Sequence, residues 1–151
     1  MKKLGIVMIM MLIFVTGCGN KTLEATDITK FESISKNQNF TVTDNLTTYN
    51  DAEYITGAMM AVYNDITVEM ITYDTAENAS KVQDKHIESF NLLKSSGASE
   101  KKDKGENYYK YILISNGYYM ISSRIDNTLI FCKTALENKG TVEKLFKELG
   151  Y

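Results

Sequence analysis

Hydrophobic and polar residues alternate with two different periodicities along this chain. Together these patterns predict a protein of mixed helices and strands. In three segments apolar residues recur at intervals of three and four, which is typical of a helix with one buried side. Six other segments either alternate between apolar and polar residues or are apolar throughout, as strands are. The predicted helices cover 27–38, 75–94 and 138–149, and the predicted strands cover 40–43, 54–63, 66–73, 108–115, 118–125 and 128–134.

Short turn sequences connect most of the predicted strands. Asn64-Asp65 and Asn116-Gly117 each separate two strands, and these residue types tolerate the positive φ angles of tight hairpin turns. Asp126-Asn127 provides a third turn of the same kind. Because a hairpin pairs its two strands in opposite directions, we expect an antiparallel sheet.

Capping residues mark the beginnings of two helices. Thr26 or Asp27 is a suitable N-cap for the first helix. Asp74 followed by Glu77 is similar to a capping box and is predicted to start the second helix.

The order of elements, α-βββ-α-βββ-α, is typical of an α+β protein. Apolar residues in the strand 66–73 lie mainly on one side, which indicates a sheet with one wet face. We therefore expect an antiparallel sheet of five or six strands with the helices packed on one face. The charged stretch 95–107 is predicted to be a loop. With no proline to mark a linker, residues 27–151 are predicted to form a single domain.

The first 17 residues have the layout of a secretory signal peptide. Lys2 and Lys3 form a positive head, residues 4–15 are apolar, and small residues precede Cys18. The apolar run is too short for an ordinary transmembrane helix. The alternatives are an uncleaved anchor or a buried N-terminal helix, although residues 4–15 lack the polar face that such a helix is expected to have.

The sequence Val15-Thr16-Gly17-Cys18 resembles the lipobox of bacterial lipoproteins. The resemblance implies cleavage after Gly17, a diacylglyceryl group on the Cys18 thiol and acylation of the new amino terminus, for instance with palmitate. Two or three acyl chains hold a protein stably on a membrane, whereas one does so only marginally. Residues 18–26 would be the lipidated cysteine and a polar tether of about 25 Å at full extension. The expected location is the extracytoplasmic face of the cell membrane.

The charge of the chain argues against nucleic acid as a partner. The whole chain has 17 basic and 19 acidic residues, and loss of Lys2 and Lys3 leaves a net charge of about −4 (15 − 19). A mildly acidic domain lacks the positive surface that binds nucleic acid. The small basic cluster at 101–104 is interrupted by Asp103 and is predicted to be solvated.

Few residues are available for catalysis or metal binding. If Cys18 carries lipid, Cys132 is the only other cysteine, so no intrachain disulfide is expected. Cys132 lies in the apolar run 129–132 and is predicted to be a small core residue. His86, the only histidine, lies beside the apolar stripe of the second helix. We expect no catalytic residue, metal or cofactor; the alternative is a small envelope enzyme that uses His86 or Cys132.

Tyrosine is concentrated in one predicted hairpin. Its strands carry Tyr108, Tyr109, Tyr111, Tyr118 and Tyr119, half of the ten tyrosines in the chain. Because side chains alternate along a strand, Tyr109 and Tyr111 are predicted to share one face. Cross-strand packing is one explanation for the cluster. The other is a flat contact surface for a protein, peptide or glycan, which would use Tyr109, Tyr111, Tyr118 and Tyr119.

Arg124, the only arginine, lies at the end of the strand 118–125. Its planar group can hold a carboxylate either of the same domain or of a ligand. We therefore include Arg124 among the predicted binding residues.

The segments Asn107-Tyr108-Tyr109, Tyr118-Tyr119, 123–129 and Leu149-Gly150-Tyr151 resemble those of small lipoproteins of Gram-positive bacteria, a group of unassigned function. This resemblance implies a lipobox signal peptide followed by one α+β domain, and it implies no catalytic residue.

These observations predict a lipid-anchored binding or interaction module of the cell envelope. A small envelope enzyme and a structural or stress-related envelope protein are the two alternatives.

Overall fold

The computed structural model describes residues 21–49 and 52–151. The predicted signal peptide and Cys18 lie outside these residues. Within them are three α-helices, seven strands and two short 3-10 turns. The helices are α1 (Ile28–Asn37), α2 (Ala76–Asn91) and α3 (Lys139–Leu149), and the strands are β1 (Thr41–Asp44), β2 (Ile55–Tyr63), β3 (Ile66–Tyr73), β4 (Ser99–Lys104), β5 (Tyr108–Ser115), β6 (Tyr118–Ile125) and β7 (Thr128–Ala135).

The seven strands form one antiparallel sheet in the order β1-β2-β3-β7-β6-β5-β4. The last strand, β7, returns to the middle of the sheet and pairs with β3, so the two halves of the chain share one sheet. The edges of the sheet are β1 and β4.

The predicted hairpins are confirmed. The φ angles are 52° at Asn64, 51° at Asn116, 78° at Gly117 and 49° at Asp126, all in the left-handed region that these turns require. The antiparallel pairing of β2 with β3, of β5 with β6 and of β6 with β7 follows directly from these turns.

The predicted number of five or six strands is wrong, because the expected loop 95–107 contains β4. This strand pairs with β5 over six residues, from Ser99 with Ile114 to Lys104 with Tyr109. Its sequence, Ser-Glu-Lys-Lys-Asp-Lys, has no apolar position. An edge strand that is exposed on both faces gives no hydrophobic alternation, so its pairing is visible only in the structure.

The expectation that all helices pack on one face is also wrong. Ile130 and Cys132 of β7 belong to the apolar cluster that contains the α3 residues Val142 and Leu145. Leu129, one position away, packs in a second cluster on the α2 side, with Ala79. Because neighbouring residues of a strand point to opposite faces, α1 and α3 cover one face and α2 covers the other.

The helix caps agree with the sequence in one case and differ in the other. The Asp27 carboxylate accepts a hydrogen bond of 2.7 Å from the Lys30 amide, which confirms it as the cap of α1. In α2 the cap is Thr75, whose hydroxyl accepts from the Asn78 amide at 3.2 Å. Asp74 instead accepts from the Asn78 side chain.

Residues 21–26 lie against the domain, although the sequence assigned them to the tether. Leu23 and Ala25 pack on the apolar cluster beneath α1 and α3, and Thr26 is buried. The folded domain therefore includes residues 21–26.

No helix in the described part of the chain has both the length and the apolar character needed to cross a membrane.

Candidate functional site

The helices leave β4 and the Tyr109 end of β5 uncovered, whereas Tyr111 and Leu113 of β5 are buried beside α2. Helix α2 packs mainly on β6, β3 and β7, and α3 contacts β7. On the α2 face the uncovered strands form a groove of about 520 Å³, which we call the Arg124 groove. It is lined by Ser80, Asp84, Lys102, Lys104, Tyr109 and Arg124.

Arg124 lies in this groove without a carboxylate partner among the described residues. Its Nη1 atom donates to the main-chain oxygen of Asp126 at 3.1 Å, and its buried Nε atom has no acceptor in the described part of the chain. Burial lowers the pKa of Arg124, while the carboxylates of Asp126 and Asp84 partly oppose this effect. A half-buried guanidinium that lacks an ion pair is suited to an anion supplied from outside the domain.

Gln83 fixes the helix that forms one wall of the groove. Its side chain is 1 % exposed, and its Nε2 atom donates to the main-chain oxygens of Tyr109 at 2.7 Å and Ser122 at 3.3 Å. These bonds hold α2 against β5 and β6. As a result two other residues of α2 line the groove: Ser80, one turn before Gln83, and Asp84, which follows it.

Two lysines of β4 form the outer wall. The Lys102 Nζ atom lies 2.5 Å from Glu100 Oε1. The other oxygen of the same carboxylate, Oε2, pairs with Lys94. These two ammonium groups lower the pKa of Glu100. Lys104 has no ion pair among the residues that the structure describes. The groove thus carries more positive than negative charge, with Asp84 as its single acidic wall residue.

The four predicted tyrosines do not form one contact surface. Tyr111 is 0 % exposed on the α2 face, where its hydroxyl donates to Asn91 Oδ1 at 2.7 Å. Tyr119 is also 0 % exposed and packs in the cluster on the opposite face. Tyr118 is exposed and lies beneath the Lys133 ammonium. The four tyrosines therefore do not share one exposed face of the sheet.

Of the predicted binding residues, Tyr109 and Arg124 meet at the groove. They are direct partners in the pairing of β5 with β6 and lie on the same face. Sequence reasoning missed Ser80, Asp84, Lys102 and Lys104. Lys102 and Lys104 are two positions apart, so they share one face of the sheet only if this segment is a strand. The sequence did not predict that strand.

Cys132 and His86 lie on opposite faces of the sheet. The Cys132 thiol is 1 % exposed on the α3 side, and burial raises its pKa to about 12. The His86 ring lies 4.1 Å from the Phe131 ring on the α2 side, and burial lowers its pKa. Within residues 21–49 and 52–151, neither residue lines the Arg124 groove or the cleft on the opposite face of the sheet. Among the described residues no three side chains form a metal-binding group.

No protein-family model and no curated protein matches the chain. Among solved structures it is similar to a GTP binding regulator from Thermotoga maritima. The two chains share 17% sequence identity over 83% of this chain and 85% of the other, with a TM-score of 0.48. A likeness this distant carries no conclusion about function.

Proposed function

We propose that this protein is a lipid-anchored module of the cell envelope that binds an acidic segment of another protein in the Arg124 groove. The anchor is the acylated Cys18, and the domain works at the extracytoplasmic face of the membrane. The proposal assigns the protein a binding role and no catalytic step.

The lack of a carboxylate partner for Arg124 in the described domain carries the binding part of the proposal. A planar guanidinium can hold a carboxylate through two parallel hydrogen bonds. Tyr109 offers an aromatic surface beside it, and Lys102 and Lys104 add positive charge at the outer wall. An acidic side chain next to an apolar or aromatic residue fits this combination of groups.

The path of the chain supports a defined orientation at the membrane. The main-chain oxygen of Lys21 accepts a hydrogen bond of 3.2 Å from the Glu106 amide, so residue 21 is held at the end of the sheet where β4 and β5 meet. Cys18 is three residues earlier, a reach of about 10 Å. The end that contains Glu106 and Asp126 would therefore face the lipid, and the groove would open to the side.

The test is photo-crosslinking in intact cells, with a photoreactive amino acid in place of Ser80 at the groove wall. This protein should capture a partner protein, whereas the same protein with Arg124→Gln should not. Lys144→Gln is the matched control, because Lys144 is exposed on α3 and does not line the groove. It also forms no ion pair with a described residue. Equal capture by the Arg124→Gln protein would contradict the groove assignment. Capture of a wall polymer instead of a protein would change the partner class to a glycan.

The anchor is tested separately with Cys18→Ala. The wild type should fractionate with membranes and incorporate labelled palmitate, and Cys18→Ala should do neither. A Cys18→Ala protein that remains in membranes would support the uncleaved anchor instead.

A further inference from the structure

A second cleft lies on the opposite face of the same uncovered strands. It has a volume of about 420 Å³, which is in the range of small-molecule sites. Its floor contains Ile112, Ile121 and Phe146. Ile112 is only half-buried, so α3 does not fully cover this part of β5.

The acidic groups of this cleft already have partners. Asp103 accepts a hydrogen bond of 3.2 Å from the Tyr108 hydroxyl. Glu143 lies 3.7 Å from the Lys139 ammonium. Asp103 thus has a hydrogen-bond donor and Glu143 has a nearby cation, and the three lysines that line the cleft outnumber these two carboxylates.

The cleft is also lined by three lysines, two of which lack an ion pair among the described residues. Lys101 on β4 and Lys147 on α3 line the cleft and have no ion pair within the described residues. The third lysine, Lys110, donates to the main-chain oxygen of Tyr151 at 2.8 Å. Two ammonium groups without an ion pair among the described residues thus line the same cleft as Ile112, Ile121 and Phe146.

We propose that this cleft binds a small amphipathic carboxylate, a molecule with one carboxylate and an aromatic or aliphatic body. The carboxylate lies between Lys101 and Lys147, and the body covers Ile112. Such a molecule places its negative charge between two cations that lack an ion pair among the described residues, and it covers the half-buried Ile112. This site is separate from the Arg124 groove, since odd and even residues of β4 point to opposite faces.

The test is equilibrium dialysis of the full chain in a neutral detergent with labelled 4-phenylbutyrate, with uptake by empty micelles subtracted. Binding should saturate below about 10 mM and should be about tenfold weaker for the double variant Lys101→Gln/Lys147→Gln. Lys144→Gln is the control, because Lys144 is exposed on α3 and lines neither this cleft nor the Arg124 groove. It should bind as the wild type does. Acetate, which has no apolar body, should compete poorly.

Three results would overturn the proposal: no saturable binding, an equal loss in Lys144→Gln, or competition by acetate as strong as that by 4-phenylbutyrate itself. A melting curve for each variant separates loss of binding from loss of folding. Since this site does not involve Arg124, its failure leaves the proposed function of the groove untouched, and the reverse also holds.

Discussion

The side-chain amide of Asn107 pairs with both main-chain polar groups of Leu23. Its Oδ1 atom accepts from the Leu23 amide at 3.0 Å, and its Nδ2 atom donates to the Leu23 oxygen at 2.8 Å. The same Nδ2 atom also donates to Asp126 Oδ2 at 2.9 Å. One side chain therefore joins the segment that leads to Cys18 with the turns at the end of the sheet.

Asn107→Ala should lower the free energy of unfolding by about 1–3 kcal/mol, because half-buried main-chain groups of Leu23 lose their partners. It should also make residues 21–26 more sensitive to limited proteolysis. Thermal melts and protease time courses measure the two effects. Glu106→Ala is the control, since the neighbouring Glu106 is exposed. If both variants behave alike, the pairing of Asn107 with Leu23 does not hold the segment.

Gly105→Ala should destabilise the same end of the sheet by about 1–3 kcal/mol. A Cβ atom at residue 105 would lie 2.4 Å from the Lys21 oxygen and 2.1 Å from the Tyr108 ring, so the chain must shift. Gly97→Ala is a matched control, because a Cβ there has nothing within 4 Å. Denaturant titration should show a lower midpoint for Gly105→Ala than for Gly97→Ala, and equal midpoints would mean that the close contact relaxes at no cost.

Arg124→Gln should change the melting temperature little, by an amount equivalent to less than about 1 kcal/mol. The variant loses one hydrogen bond to the Asp126 main chain, but it also removes a desolvated charge that has no ion pair among the described residues. A large drop in melting temperature would show that Arg124 is structural. In that case a loss of crosslinking in this variant would no longer support the groove.

His86 should make the protein less stable as the pH falls below about 6.5. Burial against Phe131 lowers the pKa of His86 in the folded state below its ordinary 6.5, so the unfolded chain takes up the proton first. Above pH 6.5 neutral His86 makes its full contribution to the free energy of unfolding, and this contribution declines as the pH falls. Melting curves between about pH 7.5 and 5.5 measure it, above the range where ordinary carboxyl groups titrate.

The control for this effect is His86→Gln, which removes the titrating group. Its melting temperature should depend less on pH across the same range. An identical pH dependence in both proteins would assign the effect to other groups.

The sequence predicted the local structure well because local signals decide it. Asn64-Asp65 and Asn116-Gly117 force two hairpins, and helix α3 follows from the apolar spacing of residues 142–149. It did not predict how the layers assemble. Leu129 to Cys132 are apolar on both sides of the strand, which is the signal of a sheet covered on both faces, but nothing local indicates which helix covers which face.

The candidate site was predicted only in part, for a related reason. Tyr109 and Arg124 were found from residue type, since aromatic rings and a lone arginine are conspicuous in any sequence. Lys102 and Lys104 join them only because β4 pairs with β5, and that pairing depends on main-chain hydrogen bonds, not on apolar side chains. Gln83, which holds the groove wall in place, has no sequence signal at all.

Cys132 should be unreactive in the folded protein. The Cys18→Ala variant leaves Cys132 as the only thiol in the chain. Burial raises its pKa to about 12, so the thiolate is scarce at pH 8, and the sulfur is also shielded by the sheet and α3. Ellman's reagent should therefore label this variant only as denaturant unfolds it, with the same midpoint as the loss of helix measured by circular dichroism. Rapid labelling of the native protein would place the thiol within reach of solvent and would favour the alternative of a cysteine-dependent envelope enzyme.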